Sequence, residues 1–568
     1  MYIVSVNLKH CKYILFITLL LSASLWPCGS YAVSSGETVN ELIRSIVSSE
    51  GHLPDFSLGG EPLYVKSMLK RFYSRRNHKP AWISEEGQFS DAELLIQTIE
   101  EVSIHGLVPE YYHLAALRDL MKERKGPGPV SPELVVELDL LLTDAFLMLG
   151  CHFSAGCVDP VTIEAEWFAN RDDLEIDYFL EDALQANTIK DTLKELLPPQ
   201  SGYRKLLSML AQYRNIVQEG GWPEISTVSI LKKGDRGKDV LALRKRMRAT
   251  DEISDLSTAE VEVFDSELEK AVLNFQARHG LKQDGKAGPD TIGEMNVSAG
   301  KRLDQIEVNL ERMRWLSRNL GHRYILVNIA DYTLTLVENG KTQMAMEVIV
   351  GKPFWYTPVF SDIMKYIVLN PSWKVPDSIA KKEIFPELRK NPAYLVEKNL
   401  KVVSSWSDAA EYVDTSDLDW KNTDFRQFKH KFRQDPGDDN PLGRVKFVFP
   451  NKFNIYLHDT PAKSLFAIPS RAFSHGCIRI SKPRELVEYL LKESPEWDRA
   501  KIDAVIKTGE LTRVDLVNPM VVNIVYMTAW VDEGGILQFR KDIYERDSKL
   551  KRALIRKPAI KQTVTSRK

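Results

Sequence analysis

The spacing of apolar residues changes twice along the chain. Between residues 40 and 220 apolar positions recur at helical spacing, as in AELLIQTIEEV and PELVVELDLLLTDAFLML. Ser131 followed by Pro132 predicts a capped helix start, and Gly150 predicts a helix stop. No cluster of reactive side chains accompanies this pattern. We therefore interpret residues 33–222 as a helical scaffold domain.

A shorter helical unit follows at residues 228–297. Turn-forming Gly234 and Gly237 precede one apolar stripe, and Asp265 caps a second stripe in FDSELEKAVLNFQARHGLKQDGKAGPDT. This pattern predicts a small three-helix bundle. Its motif AV..FQ...GL..DG..G..T resembles the peptidoglycan-binding type 1 domain. The resemblance implies glycan binding, and the alternative is a spacer that keeps the fold without the ligand.

From residue 323 the apolar period becomes two, which is typical of strands. RYILVNIADYTLTLVENGKTQMAMEVIVG alternates apolar and polar residues, and Asn339-Gly340 predicts a hairpin turn. A charged, proline-containing stretch at 376–443 interrupts the strands and predicts an insertion over the sheet. The fold class is therefore multidomain α+β, with a β-rich domain at 323–545. Its further strands are predicted at 364–370, 445–449, 453–458 and 519–530.

The two ends of the chain differ from these domains. Lys9 and Lys12 precede an apolar run, and Ser30-Tyr31-Ala32 resembles a cleavage site, so residues 1–32 predict a secretory signal. The alternative is an uncleaved anchor, which also exports the rest of the chain. Trp26 and Pro27 argue against a lipoprotein reading of Cys28. Residues 546–568 carry nine Lys or Arg and one Asp, which predicts a solvated tail or a surface that binds acidic polymer or headgroups.

Composition narrows the classes of protein. The 568 residues are 43% apolar and 27% charged, which excludes whole-chain disorder and collagen-like repeats. Lys and Arg number 76 against 78 Asp and Glu, so the net charge gives no drive toward nucleic acid. Five cysteines cannot form a disulfide scaffold. Past the signal, Cys151 and Cys157 are either a disulfide or two small buried residues, and Cys477 is left over as a candidate nucleophile.

Reactive side chains converge in FNIYLHDTPAKSLFAIPSRAFSHGCIRIS. A cysteine attacks carbonyls as the thiolate, and His458 or His475 can serve as its base. Gly476 leaves room for a substrate carbonyl to reach the amides of Gly476 and Cys477, a candidate oxyanion hole. Two alternatives stay open from spacing alone. One is a zinc site, although the spacing fits no common zinc pattern, and the other is a structural cysteine with buried histidines.

The segments HDT and SHGCIRI together resemble the signature of the YkuD-type L,D-transpeptidases. Further segments resemble the large YcbB-like subfamily, and these segments are FYSRRNHKPAW, HGLVPEYY, ERMRWL, TPVFSDIMKYIVLNPSWKVPDSIAKKEIFP and NPLGRVKFVFPN. The resemblance implies an L,D-transpeptidase catalytic domain whose stretch 376–443 is a capping insertion. Such a cap would close over the donor peptide and exclude water.

The resemblance also implies roles for individual residues. Cys477 matches the nucleophile, and His458 matches the general base, its ring oriented by a backbone carbonyl. His475 and Gly476 match positions that shape the oxyanion site, with His475 as the rival base. Tyr456 lies two residues before His458 on the same strand face, so its hydroxyl can also reach the oxyanion.

Three further residues are candidates for substrate binding. Ser474 and Arg479 match motif positions, and the Arg479 guanidinium suits either a substrate carboxylate or a structural one. Trp373, in NPSW, lines the substrate channel or packs in a core.

The implied reaction is acyl transfer without metal or organic cofactor. Cys477 attacks the third residue of a peptidoglycan tetrapeptide stem, D-alanine leaves, and a diamino-acid amine on a neighbouring stem resolves the thioester into a 3→3 cross-link. Expected partners are stem peptides and glycan in the periplasm, with peripheral or anchored membrane association and no nucleic acid. Carbapenem-type β-lactams are expected to acylate the thiol.

Other functions stay as alternatives. Water as acceptor would give an L,D-carboxypeptidase, and some relatives attach a lipoprotein to the wall. A wall-binding scaffold with an inactive catalytic domain is opposed by the complete set of reactive residues. A serine acyl-transferase reading uses three short motifs spread over different domains, which disfavours it. These motifs are Ser67–Lys70, Ser317–Asn319 and Lys507-Thr508-Gly509.

Overall fold

The computed structural model describes most of the chain. The described residues are 36–49, 57–83, 90–125, 130–163, 167–168, 174–227, 229–250, 252–253, 262–407 and 409–556. The predicted signal at 1–32 lies outside them. In the part of the chain that is described, no helix is both long and apolar enough to cross a membrane.

The N-terminal part is helical, as predicted. Helix α5, apolar on all sides, lies at its centre, and the other helices pack their apolar faces around it. Two short strands form a hairpin beside these helices, and a third joins the sheet of the catalytic domain. The elements are α1 (Gly36–Ser48), β1 (Ser57–Leu58), β2 (Glu61–Pro62), α2 (Lys66–Arg75), α3 (Ser90–Glu101), α4 (Leu114–Arg124), α5 (Pro132–Ala155), α6 (Pro160–Ile163), β3 (Trp167–Phe168), α7 (Ile176–Ala186), α8 (Ile189–Glu195) and α9 (Ser201–Gln218).

The start of α5 confirms the sequence prediction, whereas its predicted end is wrong. The Ser131 hydroxyl accepts a hydrogen bond from the Leu134 amide at 3.2 Å, with proline at the first helical position. Gly150 lies inside the helix, which continues to Ala155. A Cβ atom at Gly150 would lie 2.6 Å from Ile176 Cγ2, so this glycine allows α7 to pack closely against α5.

The second unit contains the three predicted helices, α10 (Lys238–Arg248), α11 (Ser266–Arg278) and α12 (Pro289–Met295). Asp265 caps α11, because its carboxylate accepts the Leu268 amide hydrogen at 2.9 Å. Val240, Leu243 and Phe275 are fully buried between the helices. The long α13 (Ala299–Arg314) then leads into the catalytic domain.

The catalytic domain is built on a sheet that closes on itself. Its pairing order is β11-β12-β14-β6-β5-β4-β15-β7, and β11 also pairs with β7. The β5–β6 hairpin turns at Asn339-Gly340 as predicted. The elements outside the cap are β4 (Arg323–Asn328), β5 (Thr333–Glu338), β6 (Lys341–Gly351), β7 (Val359–Leu369), β11 (Val445–Val448), β12 (Leu457–His458), β13 (Ala472–Ser474), β14 (Ile478–Ile480), α17 (Pro483–Leu490), α18 (Arg499–Thr508), β15 (Thr512–Val525), β16 (Ala529–Val531), β17 (Leu537–Phe539) and α19 (Asp547–Ile555).

The predicted insertion lies between β7 and β11 and forms a subdomain of its own, here called the cap. It has a separate hydrophobic core and a small antiparallel sheet ordered β8-β10-β9. A π-helical turn spans Ala380–Ile384. The other elements are β8 (Trp373–Lys374), α14 (Asp377–Ile379), α15 (Phe385–Lys390), α16 (Tyr394–Glu397), β9 (Leu400–Val403) and β10 (Lys431–Gln434).

The strand predicted at 453–458 is mostly a loop. Only Leu457–His458 pairs as a strand, because the Asn451 side chain binds the preceding backbone. Its carbonyl oxygen accepts hydrogen bonds from the amides of Phe453 and Ile455, and its amide donates to the Ile455 carbonyl. Side-chain capping of this kind takes the place of ladder hydrogen bonds.

In its described part, residues 546–556, the tail predicted to be solvated is instead a docked helix. Residues 547–555 form α19, whose Leu550 is buried in the catalytic core. Asp547 forms an ion pair with the buried Arg312 at 2.6 Å, and Lys551 forms one with Asp304 at 2.8 Å. The basic composition of this segment therefore serves contacts with α13, and residues 557–568 lie outside the described part.

Cys151, Cys157 and Cys477 are free thiols. Cys151 lies 3.8 Å from the Met68 sulfur, and Cys157 is packed beside Tyr112. The structure therefore favours two small packed residues over a disulfide between Cys151 and Cys157.

Candidate active site

The reactive residues lie on one face of the adjacent strands β11, β12 and β14. In the strand register, Lys446 lies opposite His458, and His458 lies opposite Arg479, so the three residues form a row across the strands. Because side chains alternate between the two faces of a strand, Tyr456 and Cys477 lie on the same face as this row. Tyr456 is two residues before His458, and Cys477 is two residues before Arg479. The intervening residues point the other way into the core and are fully buried, and these are Phe447, Leu457 and Ile478.

The Cys477 sulfur, which is partly accessible, lies beside Tyr456. Both the hydroxyl and the backbone amide of Tyr456 donate hydrogen bonds to the sulfur, and the Asn454 carbonyl lies 3.7 Å from it. Burial raises the pKa of the Cys477 thiol above its usual value and outweighs the Tyr456 hydrogen bonds and the charges of Lys446 and Arg479, which lower it. The site therefore contains several groups that favour the thiolate over the thiol.

His458 is buried and its ring is held by the backbone. Nδ1 lies 2.6 Å from the carbonyl oxygen of Asp459, which acts as acceptor, so Nε2 keeps its lone pair. Burial, followed by the charge of Arg479, lowers the pKa of His458 to about 3. The imidazole is therefore neutral near pH 7. Among the described residues no hydrogen bond joins this ring to Cys477, and such contacts often form only when substrate binds.

The loop before the cysteine uses its own side chains for structure. The Ser474 hydroxyl donates to the Cys477 carbonyl at 2.5 Å and accepts from the Gly476 amide at 3.1 Å. Thr357 donates its hydroxyl hydrogen to the Gly476 carbonyl at 2.8 Å. Two expectations need correction. Ser474 is buried and its hydroxyl is used within the loop, and the Gly476 amide is already bonded to Ser474, so only the Cys477 amide is left as a candidate oxyanion donor from this loop.

Gly476 has a backbone conformation that only glycine adopts easily. Its φ is +113°, and an added Cβ would lie 3.3 Å from the Tyr356 carbonyl oxygen and 3.4 Å from Ile455 Cδ1. The position therefore requires glycine for both conformation and space.

His475 points to the cap. Its Nε2 bonds to the carboxylate of Glu383, which lies in the π-helical turn. The edge of the ring contacts Trp355, with centroids 4.9 Å apart, and the Lys382 ammonium lies 4.2 Å from the Trp355 centroid. Because this nitrogen is already hydrogen-bonded to a carboxylate of the cap, the geometry favours His458 over His475 as the base.

The remaining candidates have different surroundings. No described carboxylate pairs with Arg479, and its Nε is buried without a partner, so the structural-carboxylate alternative has no support. Trp373 is partly buried against the core of the cap, which matches the core-packing alternative.

Neither the zinc site nor the serine acyl-transferase site is formed by the residues that the structure describes. Within the described ranges, no three His, Cys, Asp or Glu side chains are grouped to hold a metal ion. The serine motifs lie on different elements of the fold, on α2, after α13 and at the end of α18.

Several residues at the site were not found from the sequence. Lys446 lies in the row described above, Thr357 and Glu383 bind the loop that carries the cysteine, and Tyr544 donates its hydroxyl hydrogen to the Gly351 carbonyl at 2.7 Å. For Lys446 the available signal was its position on a predicted strand. For the others no local pattern exists, because their partners are far away in the chain.

Comparison with known families matches three parts of the chain. Residues 322–506 match the model of the L,D-transpeptidase catalytic domain, and residues 67–210 match that of a scaffold domain. Residues 236–295 match a model described as "Putative peptidoglycan binding domain". These matches confirm the predicted fold class and the presence of a YkuD-type catalytic domain at residues 322–506, whereas the YcbB-like subfamily stays a prediction.

Individual relatives support the same family at lower coverage. A Haemophilus influenzae protein named "Putative L,D-transpeptidase" is 31% identical over 272 residues, which is 48% of this chain. The chain spans about half the length of that curated relative, 53%.

Solved L,D-transpeptidase structures are more distant. One from Xylanimonas cellulosilytica is 14% identical, covers 53% of this chain and all of its own, and has a TM-score of 0.17. One from Stackebrandtia nassauensis is 13% identical, covers 53% of this chain and 96% of its own, and has a TM-score of 0.20. At these TM-scores the structures carry no argument, and the family match rests on the sequence models.

Proposed function

We propose that this chain, whose residues 322–506 belong to the L,D-transpeptidase catalytic domain family, forms 3→3 cross-links in peptidoglycan through a Cys477 thioester. The observation that carries the proposal is the position of Cys477. Its partly accessible sulfur lies on a sheet face that supplies hydrogen-bond donors and cations, beneath a cap that contacts the same loop. The peptidoglycan-binding match at 236–295 supports the same polymer as substrate.

The first half-reaction begins at the sulfur. The thiolate attacks the carbonyl carbon of the third residue of a tetrapeptide stem, and the carbonyl electrons move to oxygen. The Cys477 amide and the Tyr456 hydroxyl are the donors we assign to that oxyanion. Burial raises the pKa of Tyr456 well above its usual range, so the hydroxyl keeps its proton and stays a donor.

We assign the proton transfers to His458. Nε2 takes the thiol proton and gives it to the amine of the departing D-alanine as the carbon–nitrogen bond breaks. Because burial disfavours the protonated ring, the imidazolium holds the proton only briefly and passes it on. In the second half-reaction, the amine of a neighbouring stem attacks the thioester carbon and loses a proton to the ring. The carbon–sulfur bond then breaks, and the ring returns the proton to the sulfur, which restores the thiol.

The acceptor decides between related activities. Water would make the enzyme an L,D-carboxypeptidase, and a protein amine would make it a lipoprotein-attaching enzyme. The cap reaches the cysteine loop through the Glu383–His475 contact, which supports a site closed to bulk water and hence an amine acceptor. The signal-like residues 1–32 support action in the periplasm, where the polymer lies.

The test uses the purified protein and disaccharide-tetrapeptide, followed by intact mass. We expect a cross-linked dimer with loss of D-alanine, and its absence with Cys477→Ala. Cys151→Ala removes a thiol of the scaffold domain and is the matched control. Tripeptide without dimer would assign the carboxypeptidase activity instead.

A second measurement follows the nucleophile directly. Incubation with a carbapenem should add the mass of one inhibitor to the wild-type protein and none to Cys477→Ala. An adduct that survives in Cys477→Ala would contradict the assignment of the nucleophile.

A further inference from the structure

Lys446 is a cation on the active face with no carboxylate partner. It is half-buried on β11, and within the described chain no acidic side chain forms an ion pair with it. Its ammonium lies 3.8 Å from the centroid of the Tyr456 ring. A cation held over an aromatic face without a counter-ion is costly to bury unless a negative charge lies nearby.

The acidic group whose charge acts on Lys446 is the thiol of Cys477. The Tyr456 ring lies between the two residues, because its face binds the ammonium and its hydroxyl donates to the sulfur. The strand register places the lysine in the row beside the sulfur, because Lys446 lies opposite His458 and His458 lies opposite Arg479. A cation on the ring face also makes the hydroxyl a stronger donor.

The histidines do not supply the positive charge. His458 is buried and neutral, with Nδ1 bonded to a carbonyl, and His475 is paired with Glu383 of the cap. In the resting protein, therefore, the described histidines form no standing thiolate–imidazolium pair with Cys477. The charged and titratable groups that surround the sulfur are Lys446 on β11, Tyr456 just before β12, His458 on β12, Arg479 on β14, His475 in the loop, Glu383 in the cap and, behind Lys446, Lys374 on β8.

We propose that Lys446 is the positioning cation that stabilises the Cys477 thiolate across the Tyr456 ring. The residue acts on the sulfur through charge and through the tyrosine hydroxyl, without touching the reacting atoms. This inference rests on the proposed role of Cys477 as nucleophile, but the thiol can be titrated without any peptidoglycan substrate.

The experiment measures alkylation of Cys477 by iodoacetamide between pH 5 and 10, with peptide mass mapping to separate the other cysteines. Lys446→Met should raise the apparent pKa of the thiol by about one unit, since a nearby opposite charge shifts a pKa by about 1–3 units. Lys446→Arg should restore most of the shift. Lys365→Met, which removes an exposed lysine on β7 of the same sheet, is the matched control.

Two further variants separate the alternatives. Tyr456→Phe should raise the thiol pKa and reduce the effect of a second change at Lys446, because the hydroxyl relays part of the charge. An unchanged pKa in Lys446→Met, combined with a raised pKa in Arg479→Met, would overturn the proposal and assign the role to Arg479. A shifted thiol pKa without cross-linking would support the lysine role while rejecting the proposed transpeptidase.

Discussion

At the scale of single residues, Gly476 controls the path of the chain into the nucleophile. Gly476→Ala would place a methyl group against the Tyr356 carbonyl in a left-handed conformation. We expect a loss of about 1–3 kcal/mol of stability and slower acylation of Cys477 by a carbapenem. Gly437→Ala is the control, because a Cβ there meets nothing within 4 Å. Normal acylation by Gly476→Ala would show that the loop tolerates another conformation.

The neutral His458 gives the protein a specific pH dependence. Its pKa is about 3 in the folded protein and about 6.5 in an unfolded chain, so the unfolded state binds the extra proton between these values. The stabilisation is complete above pH 6.5 and is lost as pH falls toward 3, with a slope of up to about 1.4 kcal/mol per pH unit.

His458→Gln should remove this term. Between pH 6 and pH 5 the free energy of opening strands β11, β12 and β14 should fall by about 1 kcal/mol less in the variant than in the wild type, as measured by native-state hydrogen exchange of these strands. Other buried histidines, such as His152, are present in both proteins, so their contribution to the pH dependence cancels in the difference. His322→Gln, which removes an exposed imidazole outside the site, is the matched control. Equal slopes for wild type and His458→Gln would mean that His458 is protonated in the fold.

The sequence predicted the residues of the site that are close together in the chain. Tyr456 and His458 share a strand face at a spacing of two, and the motif with Cys477 lies on a neighbouring strand. The partners that shape the loop could not be predicted, because Glu383 precedes His475 by 92 positions and Thr357 precedes Gly476 by 119. Pairings of such length depend on the register of the sheet and on the folding of the cap.

At the scale of elements, the cap is joined to the cysteine loop by the Glu383–His475 contact. Glu383→Ala should loosen the cap and let a bulky maleimide reach Cys477 up to about fivefold faster, because a partly exposed ion pair contributes up to about 1 kcal/mol. Iodoacetamide, which is small, should react with a nearly unchanged rate.

A matched substitution tests whether the faster maleimide reaction comes from loss of the Glu383–His475 contact. Glu387→Ala removes a carboxylate of the neighbouring α15 that pairs with Lys390. It should leave both alkylation rates unchanged. Equal acceleration by the two substitutions would indicate a general loosening of the cap and would remove Glu383 from the closing contact.

The elements predicted from the sequence are present where a local pattern of residues determines the structure. The observed elements differ from the predicted ones where packing against distant residues determines it. The hairpin at Asn339-Gly340 needs only alternation and turn residues, and it is present. Gly150 has the residue type of a helix stop but serves close packing of α7, which no local pattern reveals. Residues 547–555 have a polar, basic composition, yet their helix docks because buried Arg312 requires the carboxylate of Asp547.

At the scale of the whole molecule, α13 joins the three domains. Glu311 accepts the Val158 amide hydrogen of the scaffold domain at 2.8 Å, and Gln305 donates to the Thr528 carbonyl of the catalytic domain at 2.9 Å. Arg302 binds Glu294 at the end of α12. These contacts predict that the peptidoglycan-binding-like unit is held in one orientation relative to the catalytic sheet.

Phe539 lies where these domains meet. Its ring is buried, with the ring of His279, directly after α11, at 5.6 Å, the ring of Tyr213 on α9 at 5.7 Å and the Arg302 guanidinium on α13 at 4.7 Å. Removal of a buried phenylalanine side chain costs about 3–5 kcal/mol. Because the chain has several domains, the loss should appear locally as easier opening rather than as one shifted transition.

Phe539→Ala should therefore speed hydrogen exchange in α11 by at least about tenfold, which corresponds to about 1.4 kcal/mol of local stability. Exchange in α3, whose buried residues belong to a different hydrophobic core from Phe539, should stay at the wild-type rate. Phe354→Ala is the control, because that ring is 92% exposed. If α11 exchanges at the wild-type rate in Phe539→Ala, the unit is held by its other contacts, such as the hydrogen bond from Arg540 to the Arg278 carbonyl, and Phe539 only fills space at the junction.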